Sequence, residues 1–538
     1  MTTGFSTLDY VIFAAYAALI IGVGLWVSRK KEGKEKTSND YFLASKSLTW
    51  WAVGASLIAA NISAEQFIGM SGSGYAIGLG IATYEWMAAI TLIIVGKFFL
   101  PVFLKAEIYT MPQFIVKRYD NRVRTILAVF WLLVYVFVNL TSVLYLGALA
   151  IRTIMGVPLM WGIVGLALFA AIYSLYGGLS AVAWTDVIQV IFLVGGGLIT
   201  TYLALDAIPA TQGVIQGAKY LIQQAPDKFE MILDKDNQYY MDLPGLGVLL
   251  GGMWVANLYY WGFNQYIIQR ALAAKSQREA QKGIIFAGFL KILIPLIVVV
   301  PGIAAFVITS DGTILSSLGE NASQNIPTAE QADNAYPWLL GLLPYGLKGI
   351  AFAALAAAIV SSLASMLNST STIFTMDIYK QLKKDASETK LVNIGRATAA
   401  IALIIAVLVA PTLQTLDQAF QYIQEYTGMV SPGVLAIFLF GLFWKRATAN
   451  SALWAAILTI PVSMFFKFVF TTMPWMDQMG YSFLVVSAII IIISMLESKD
   501  AYTKAIPISK DLFKTDNVFN VGAVVITAII ATLYIIFW

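Results

Sequence analysis

Three ionisable side chains lie within stretches that are otherwise apolar enough to cross a membrane. They are Glu65, Glu85 and Lys291. A charge at that depth is costly even on lenient insertion scales, so such a group faces a partner or a wet cavity. Two interpretations stay open at this point: a structural ion pair between Glu and Lys among packed helices, or a polar binding site inside the membrane.

Further hydrogen-bonding groups, most of them neutral, and aromatic rings accompany these charges. The polar residues are Gln66, Asn257, Gln424 and Glu425, and the aromatic residues are Tyr84, Tyr260, Trp261 and Phe420. Each hydroxyl of a polyhydroxylated solute needs hydrogen-bond partners, and the CH face of its ring can lie on an aromatic side chain. The set therefore favours an uncharged solute that carries several hydroxyl groups.

A second group of residues could hold a hard cation such as sodium. Ser361 and Ser362 stand in the middle of a long apolar run, and sodium is best held by several oxygens, which hydroxyls and unwound backbone carbonyls supply. However, Ser361, Ser365 and Ser369 recur every four residues, as small residues do where helices pack closely. Asp186 opens a predicted span at 184–206, where it could complement a helix N-terminus. Spacing alone leaves both alternatives open.

Two interrupted helices are predicted to position these residues. The run 52–75 combines four glycines and several serines with Asn61, Glu65 and Gln66, and the run 245–268 again mixes glycine, asparagine and glutamine into apolar sequence. Interrupted spans at matching places in two halves point to an inverted-repeat transporter with its site at mid-membrane. Adjacent helical residues point about 100° apart, so Glu65 and Gln66 share a pocket only if the helix breaks, which we expect near 62–64. For the small residues, plain helix packing is the alternative.

Composition sets the class of protein. The chain has 538 residues, 59% of them hydrophobic and 12% charged, with a mean hydropathy of +0.76, so it is predicted to be a polytopic membrane protein. It contains no cysteine and no histidine, which excludes thiol chemistry, histidine proton relays and metal sites built from those ligands. No phosphate-binding GxxxxGK[ST] loop is present, so an ATP-driven pump is excluded. An enzyme is not expected.

The charged loops predict the orientation. About 20 apolar residues cross a bilayer, and on that measure we count 14 spans, with both termini outside the cell. Of the 34 Lys and Arg residues, 26 then fall in loops on the cytoplasmic side. The net charge of +4 reflects this bias and not nucleic-acid binding. The predicted divisions are a first helix and cytoplasmic loop at 1–49, repeat one at 50–206, an outer loop at 207–244, repeat two at 245–443 and three peripheral helices at 444–538.

Several long segments resemble the solute:sodium symporter family. They are residues 52–75, 176–189, 257–275, 353–379 and 420–428. The pair Asn264-Gln265, followed by the run 269–275, is typical of the family's sugar-carrying branch. The resemblance covers nearly the whole chain and implies an all-α, leucine-transporter-like membrane fold with about 14 transmembrane helices and a five-plus-five inverted-repeat core.

The resemblance also implies roles for individual residues. Sodium would bind the carbonyls of Ala59, Ile62 and Ala358 and the hydroxyls of Ser361 and Ser362, with Asp186 on its exit route. The sugar would bind Gln66, Glu85, Asn257, Lys291 and Gln424. Tyr260, backed by Trp261, would close the site from inside, and Met70, Tyr84 and Phe420 would close it from outside. Ala88 departs from the pattern, because a serine is expected there in the sugar pocket.

The expected function is sodium-coupled uptake of a neutral monosaccharide of the galactose or glucose type by alternating access. Sodium is then a co-substrate and no cofactor is expected. The partners are the ion, the sugar and the lipid bilayer, with a monomer as the functional unit in a bacterial inner membrane. The alternatives are coupling to protons or transport of another solute such as an amino acid or carboxylate, and, outside active transport, a passive channel.

Overall fold

A computed structural model describes residues 5–28, 37–108, 110–208, 213–319, 322–323, 326–415, 419–497 and 502–538. The described residues form helices and connecting loops, with a single isolated β-bridge between Leu48 and Ala274. Helices dominate because a backbone in lipid must satisfy its N–H and C=O groups within its own segment. The start of the predicted span at 416–418 and the basic residues at 29–36 lie outside the described part of the chain.

The first half of the chain contains twelve α-helices. They are α1 (Thr7–Ser28), α2 (Ser38–Leu43), α3 (Trp50–Asn61), α4 (Ser71–Ala76), α5 (Thr83–Ile94), α6 (Leu100–Lys105), α7 (Met111–Arg118), α8 (Asn121–Leu133), α9 (Thr141–Met155), α10 (Leu159–Gly177), α11 (Leu179–Asp206) and α12 (Val214–Gln224). Three π-helical turns join neighbouring helices into longer rods: Glu65–Met70, Val95–Phe99 and Val134–Leu140. Short 3-10 turns lie at Ala44–Lys46, Leu79–Ala82 and Pro226–Phe229.

The second half contains the remaining α-helices. They are α13 (Leu246–Leu250), α14 (Gly252–Phe263), α15 (Gln265–Leu272), α16 (Gln277–Ser310), α17 (Gly312–Ser317), α18 (Ala335–Gly341), α19 (Leu347–Ile373), α20 (Lys380–Leu382), α21 (Glu388–Val409), α22 (Ala419–Gly428), α23 (Ser431–Phe443), α24 (Ala449–Val469), α25 (Trp475–Glu497) and α26 (Asn517–Ile536). A fourth π turn, Phe374–Tyr379, follows α19. Further 3-10 turns lie at Ala329–Asn334, Ala410–Thr415 and Lys510–Phe513.

Eleven helices among the described residues are long and apolar enough to cross a membrane. This is fewer than the 14 spans predicted from hydropathy. The two interrupted helices are not among the eleven, because neither contains a continuous helix of sufficient length, and α10 is represented only by its apolar part Leu159–Ile172. The chain is thus a membrane-spanning, all-helical protein.

The first interrupted helix breaks where the sequence predicts. Helix α3 ends at Asn61, and Ile62 has an extended backbone with φ −75° and ψ 111°. The chain then resumes as the π turn Glu65–Met70, which leads into α4. The predicted break at 62–64 is confirmed.

The second interrupted helix has two breaks. Gly251 separates α13 from α14, and Asn264, with φ −81° and ψ 121°, separates α14 from α15. The dihedral angles at Asn264 nearly repeat those at Ile62, and the helices that precede the two residues, α14 and α3, are both 12 residues long. The two breaks are therefore alike in backbone geometry.

The long helices α16, α19 and α11 form the centre of the bundle. Helix α3 packs against α16, α11 and α19, while α14 packs against α5 and α23. Almost every residue of α19 is buried, which its small side chains permit because they let neighbouring backbones approach closely. The broken helices therefore cross the interior of the protein beside rigid neighbours.

One prediction about local structure is wrong. Asp186 was placed near a helix start, but α11 begins at Leu179, after Gly178 with a positive φ of 67°. Asp186 lies in the third turn and is fully buried, so it cannot complement the helix N-terminus. Hydropathy alone placed the start of this span too late.

Candidate functional site

A cavity of about 60 Å³ lies between the two interrupted helices. Its walls come from α3 and the following π turn, α5, α14, α16 and α22. The structure brings all five predicted sugar-binding residues to this cavity: Gln66, Glu85, Asn257, Lys291 and Gln424. Small-molecule pockets typically enclose about 300–1,000 Å³, so this cavity must widen to admit a hexose.

Glu85 and Lys291 form a buried ion pair on the cavity wall. The Lys291 ammonium donates hydrogen bonds to Glu85 and to the side-chain oxygen of Asn61, and its Nζ lies 4.9 Å from the centroid of the Trp261 ring. Both charged side chains are almost completely buried, so each depends on the other for compensation. The ion pair and the polar cavity, which were alternatives in the sequence, occur together, and the pair adds no net charge to the wall.

Two consecutive polar residues line the cavity from the π turn that follows the break in the first helix. The Gln66 side-chain oxygen accepts hydrogen bonds from the Ser63 N–H at 2.9 Å and the Ser63 hydroxyl at 3.0 Å, which leaves its NH₂ group to donate elsewhere. Glu65 accepts a hydrogen bond of 2.6 Å from the Ser142 hydroxyl. The expectation that Glu65 and Gln66 share a pocket next to a break in the helix therefore agrees with the structure, and both residues come after the break.

Several buried polar atoms at the cavity are free to bind a solute. Among the described residues, the Tyr84 hydroxyl, the Asn257 side-chain nitrogen and the Asn139 side-chain oxygen have no hydrogen-bond partner. An unpaired buried polar atom costs about 1–3 kcal/mol, so a ligand that pairs with these atoms recovers that cost. Asn61 and Asn139 line the cavity but were not predicted as contacts; their position inside apolar runs was the available signal.

The predicted gate residues Tyr260, Trp261, Met70 and Tyr84 line the cavity. The Tyr260 hydroxyl accepts hydrogen bonds from the Asn61 side chain at 3.0 Å and the Tyr266 hydroxyl at 2.6 Å, and the Tyr260 and Trp261 rings pack with centroids 5.3 Å apart.

Phe420 packs behind Tyr84. Its ring lies edge-on against Tyr84, with the centroids 5.4 Å apart, and it does not line the cavity itself. A Cβ added at Gly69 would stand only 2.7 Å from the Phe420 Cβ, so glycine allows α22 to approach the interrupted helix closely. Four of the five predicted gate residues thus line the cavity, and the fifth lies directly behind one of them.

The predicted ion-binding residues meet where α3 ends beside α19. Ser362 donates a hydrogen bond to the Ala60 carbonyl at 3.1 Å and a longer one to the Ile62 carbonyl at 3.4 Å. Carbonyls in the last turn of a helix lack intrahelical partners, which leaves oxygens at this break for a cation. Ala59, Ala358 and Ser361 are also completely buried.

Asp186 lies directly behind the serines. It accepts hydrogen bonds of 2.5 Å from Ser361 and from Ser56, and Arg270 lies 4.0 Å away. Arg270 in turn donates to the Ser365 hydroxyl. The serines of α19 therefore take part in polar contacts and do not serve only as small packing residues. Arg270 itself was not predicted as part of this network.

Interrupted helices, buried oxygens at one break and a polar cavity beside them indicate a cation-coupled membrane transporter. The family model described as "Sodium:solute symporter family" matches residues 41–459. The chain belongs to the sodium:solute symporter family. It is accordingly a symporter that uses sodium as co-substrate, and it is not an enzyme.

Individual relatives agree with this assignment. The chain is 62% identical over 537 residues to a sodium/glucose cotransporter of Vibrio parahaemolyticus, which covers 99% of both chains. It is 35% identical to sodium/myo-inositol cotransporter 2 of Bos taurus, over 84% of this chain and 68% of that protein.

Solved structures share the fold. A sodium-coupled sialic acid symporter in a substrate-bound, outward-open state has a TM-score of 0.80 at 25% identity, covering 93% of this chain and 99% of its own. The nucleobase-cation-symport transporter MHP1, in a closed conformation, has a TM-score of 0.51 at 13% identity, covering 89% of this chain and 98% of its own. The second likeness concerns the fold alone.

Proposed function

We propose that the protein is a sodium-coupled secondary active symporter for a neutral monosaccharide of the galactose or glucose type. The observation that carries this proposal is the cavity wall, which offers neutral hydrogen-bond donors and acceptors beside an internally neutralised Glu85–Lys291 pair and the Glu65 carboxylate, which accepts a hydrogen bond from Ser142. A carboxylate solute would need an unpaired positive charge there, and the one cation that lines the cavity, Lys291, is already paired. The 62% identity to a sodium/glucose cotransporter supports the same substrate class.

Sodium binding and sugar binding are coupled because both ligands contact the same interrupted helix. The carbonyls at the end of α3 and the serines of α19 hold sodium, and Gln66, four residues after Ile62, contacts the sugar. Sodium that binds across the break fixes the angle between α3 and the π turn, and this shapes the sugar pocket. The ion must bind one conformation more tightly than the other, because a ligand with equal affinity for both shifts nothing.

The roles of individual residues are part of the proposal. Gln66, Glu85, Asn257, Lys291 and Gln424 bind the sugar. Ala59, Ile62, Ala358, Ser361 and Ser362 bind sodium, with Asp186 on the exit route. Tyr260 and Trp261 gate one end, and Met70, Tyr84 and Phe420 gate the other. Ala88 lines the cavity without a hydroxyl, so one sugar contact of the family pattern is replaced by an apolar wall.

The membrane arrangement completes the proposal. Adding α10 and the two interrupted helices to the eleven long spans gives 14 transmembrane helices, of which ten form the two inverted repeats at 50–206 and 245–443. Both termini then lie outside a bacterial inner membrane, in agreement with the basic residues of the opposite loops. A single chain contains both ligand sites, so the monomer suffices as the transport unit.

Uptake of radiolabelled galactose into proteoliposomes tests the function. An imposed sodium gradient should drive accumulation above the equilibrium level, which a passive channel cannot do, and unlabelled galactose or glucose should compete. Uptake driven by a proton gradient in sodium-free medium, or competition only by an amino acid or carboxylate, would contradict the proposal.

A substitution at the ion site tests the coupling. Ser362→Ala removes a hydroxyl that reaches the end of α3, so the sodium concentration for half-maximal uptake should rise about tenfold, the effect of roughly 1.4 kcal/mol. Ser463→Ala is the matched control, because that buried serine donates only to the Met429 carbonyl in another part of the bundle. Unchanged sodium dependence in Ser362→Ala would remove this serine from the ion site.

A further inference from the structure

An apolar groove runs along the outside of the bundle between α14, α23 and α25. Its first part has a volume of about 540 Å³ and includes Leu258, Leu435 and Leu484. Leu439 and Phe483 also line a second apolar cavity of about 560 Å³. The two cavities therefore form one continuous groove, which reaches Ile491 on α25.

A single acidic residue stands at the start of this groove. Asp477, in the first turn of α25, lines the first cavity, and its Oδ1 lies close to the backbone of Gly247 and Gly251. A Cβ added at Gly247 would stand 2.7 Å from that oxygen. In the part of the chain that the structure describes, no cation and no hydrogen-bond donor pairs with the Asp477 carboxylate. A carboxylate at an apolar surface favours a cationic partner.

The dimensions of the groove match those of one phospholipid leaflet. At 1.5 Å per residue, the distance along α25 from Asp477 to Ile491 is about 21 Å. One leaflet, with its headgroup region included, is about 20–22 Å thick. An acyl chain can therefore lie along the groove while its headgroup stays level with Asp477.

We propose that the groove binds a phospholipid whose headgroup carries a primary ammonium, with the ammonium paired to Asp477 and one acyl chain in the groove. The charge at the head of the groove favours an ammonium that can donate hydrogen bonds over an anionic headgroup. With the orientation proposed above, this lipid belongs to the outer leaflet.

The site touches the helix that carries the sugar contacts. Trp254 and Leu258 of α14 line the groove, while Asn257 and Tyr260 of the same helix line the central cavity. A lipid seated in the groove therefore packs against the back of a helix whose front face contacts the solute. Occupancy of the groove restricts how far α14 can move outward as the cavity widens.

Native mass spectrometry of the detergent-purified chain, without sugar or sodium, tests the proposal independently of the transport function. The protein is titrated with phosphatidylethanolamine, with phosphatidylcholine, whose ammonium is fully methylated, and with phosphatidylglycerol. We expect phosphatidylethanolamine to bind at least fivefold more tightly than either other lipid. Asp477→Asn should remove most of that preference, and Asp236→Asn, in an exposed loop, is the matched control. Equal retention of all three lipids, or an unchanged preference in Asp477→Asn, would overturn the headgroup assignment.

A second variant tests the acyl chain and keeps the carboxylate. Leu484 is 59% exposed and lines the groove, so Leu484→Trp should fill the groove without disturbing the core. Phosphatidylethanolamine binding should fall about fivefold. Leu496→Trp places the same side chain at an 82% exposed position on the same helix, outside the groove, and should leave binding unchanged. Parental binding in Leu484→Trp would show that the groove does not hold the chain.

Discussion

At the scale of single residues, the side chains of the cavity separate into paired and unpaired groups. Lys291 and Glu85 neutralise each other, whereas the Tyr84 hydroxyl and the Asn257 side-chain nitrogen have no partner among the described residues. Paired charges give the wall its polarity, and the unpaired neutral atoms give it the capacity to bind a solute. In the proposed function, this division lets a wall that contains an ion pair present neutral hydrogen-bonding atoms to an uncharged ligand.

Gln66→Ala should weaken sugar binding by about 1–3 kcal/mol, because it removes a buried hydrogen-bonding group whose NH₂ is not used by Ser63. The expected result is a rise of roughly fivefold to 150-fold in the apparent Kd for sugar, measured by equilibrium binding at saturating sodium. Gln216→Ala, at an exposed position on α12, should bind sugar like the parent. Parental affinity in Gln66→Ala would place the sugar elsewhere.

The sequence predicted which residues belong to this site better than it predicted which residues contact one another. Charges and amides inside apolar runs are visible in the sequence because they violate the rule for lipid-facing helices. Asn61 and Asn139 carry the same signal, but only the three-dimensional arrangement brings them to the cavity. The partners of Arg270 were equally hidden, since Asp186 and Ser365 lie on different helices and far from it in sequence.

At the scale of elements, the short segment before α7 connects three parts of the bundle. The Thr110 hydroxyl donates to Asp377 at 2.8 Å, and the Met111 N–H donates to the Gln265 side chain at 2.8 Å. Gln265 is the first residue of α15, directly after the break at Asn264. The segment thus holds the second interrupted helix at the end of the bundle that lies beyond Tyr260, and it must release α15 if that end is to open.

Thr110→Val should loosen this connection, because the valine cannot donate to Asp377 or cap α7. Loss of one buried hydrogen bond is worth roughly 1 kcal/mol, so amide hydrogen exchange in α15 should become about fivefold faster, as measured by mass spectrometry. Thr125→Val removes only an exposed bond within α8 and should leave exchange in α15 unchanged. Equal protection of α15 in both variants would show that the segment does not hold it.

The elements were predicted unevenly, for physical reasons. The first break was predictable because polar and small residues cluster at 61–66 and adjacent residues of an α-helix point about 100° apart, so Glu65 and Gln66 would not share a cavity in a regular helix. The π turns were not, since a change from i→i+4 to i→i+5 bonding depends on packing and not on composition. The start of α11 was predicted too late in the chain. Gly177-Gly178 is a turn signal just before the true start, but hydropathy alone does not detect such a signal.

At the scale of the whole molecule, apolar composition and basic loops determine how the chain lies in the membrane. The prediction of an all-helical membrane protein is confirmed for the described residues. Helices form because each backbone segment exposed to lipid must satisfy its own hydrogen bonds. The count of spans could not be confirmed by length alone, since interrupted helices do not contain 18 continuous helical residues. The interruptions to which the proposed function assigns the ligand sites are therefore also the features that make the transmembrane helices difficult to count.

Single-cysteine labelling in intact cells should test the proposed orientation, and the chain suits this method because it has no cysteine of its own. Ile215→Cys, in the 207–244 loop and 73% exposed, should react with a membrane-impermeant maleimide. Leu382→Cys, 75% exposed at the end of α20, should react only after permeabilisation. The reverse pattern would invert the topology and, with it, the assignment of outer and inner gates.

The π turn at Glu65–Met70 has a mechanical consequence for the whole chain. A π turn holds one residue more than an α turn, and one residue corresponds to a rotation of about 100° around the helix axis. If such a turn migrates by one position, the side chains it passes change the direction in which they point, while the helix keeps its length and its ends stay in place. Four such turns occur among the described residues. At each of them, part of a helix can rotate about its axis while the loops at the ends of the helix stay in place.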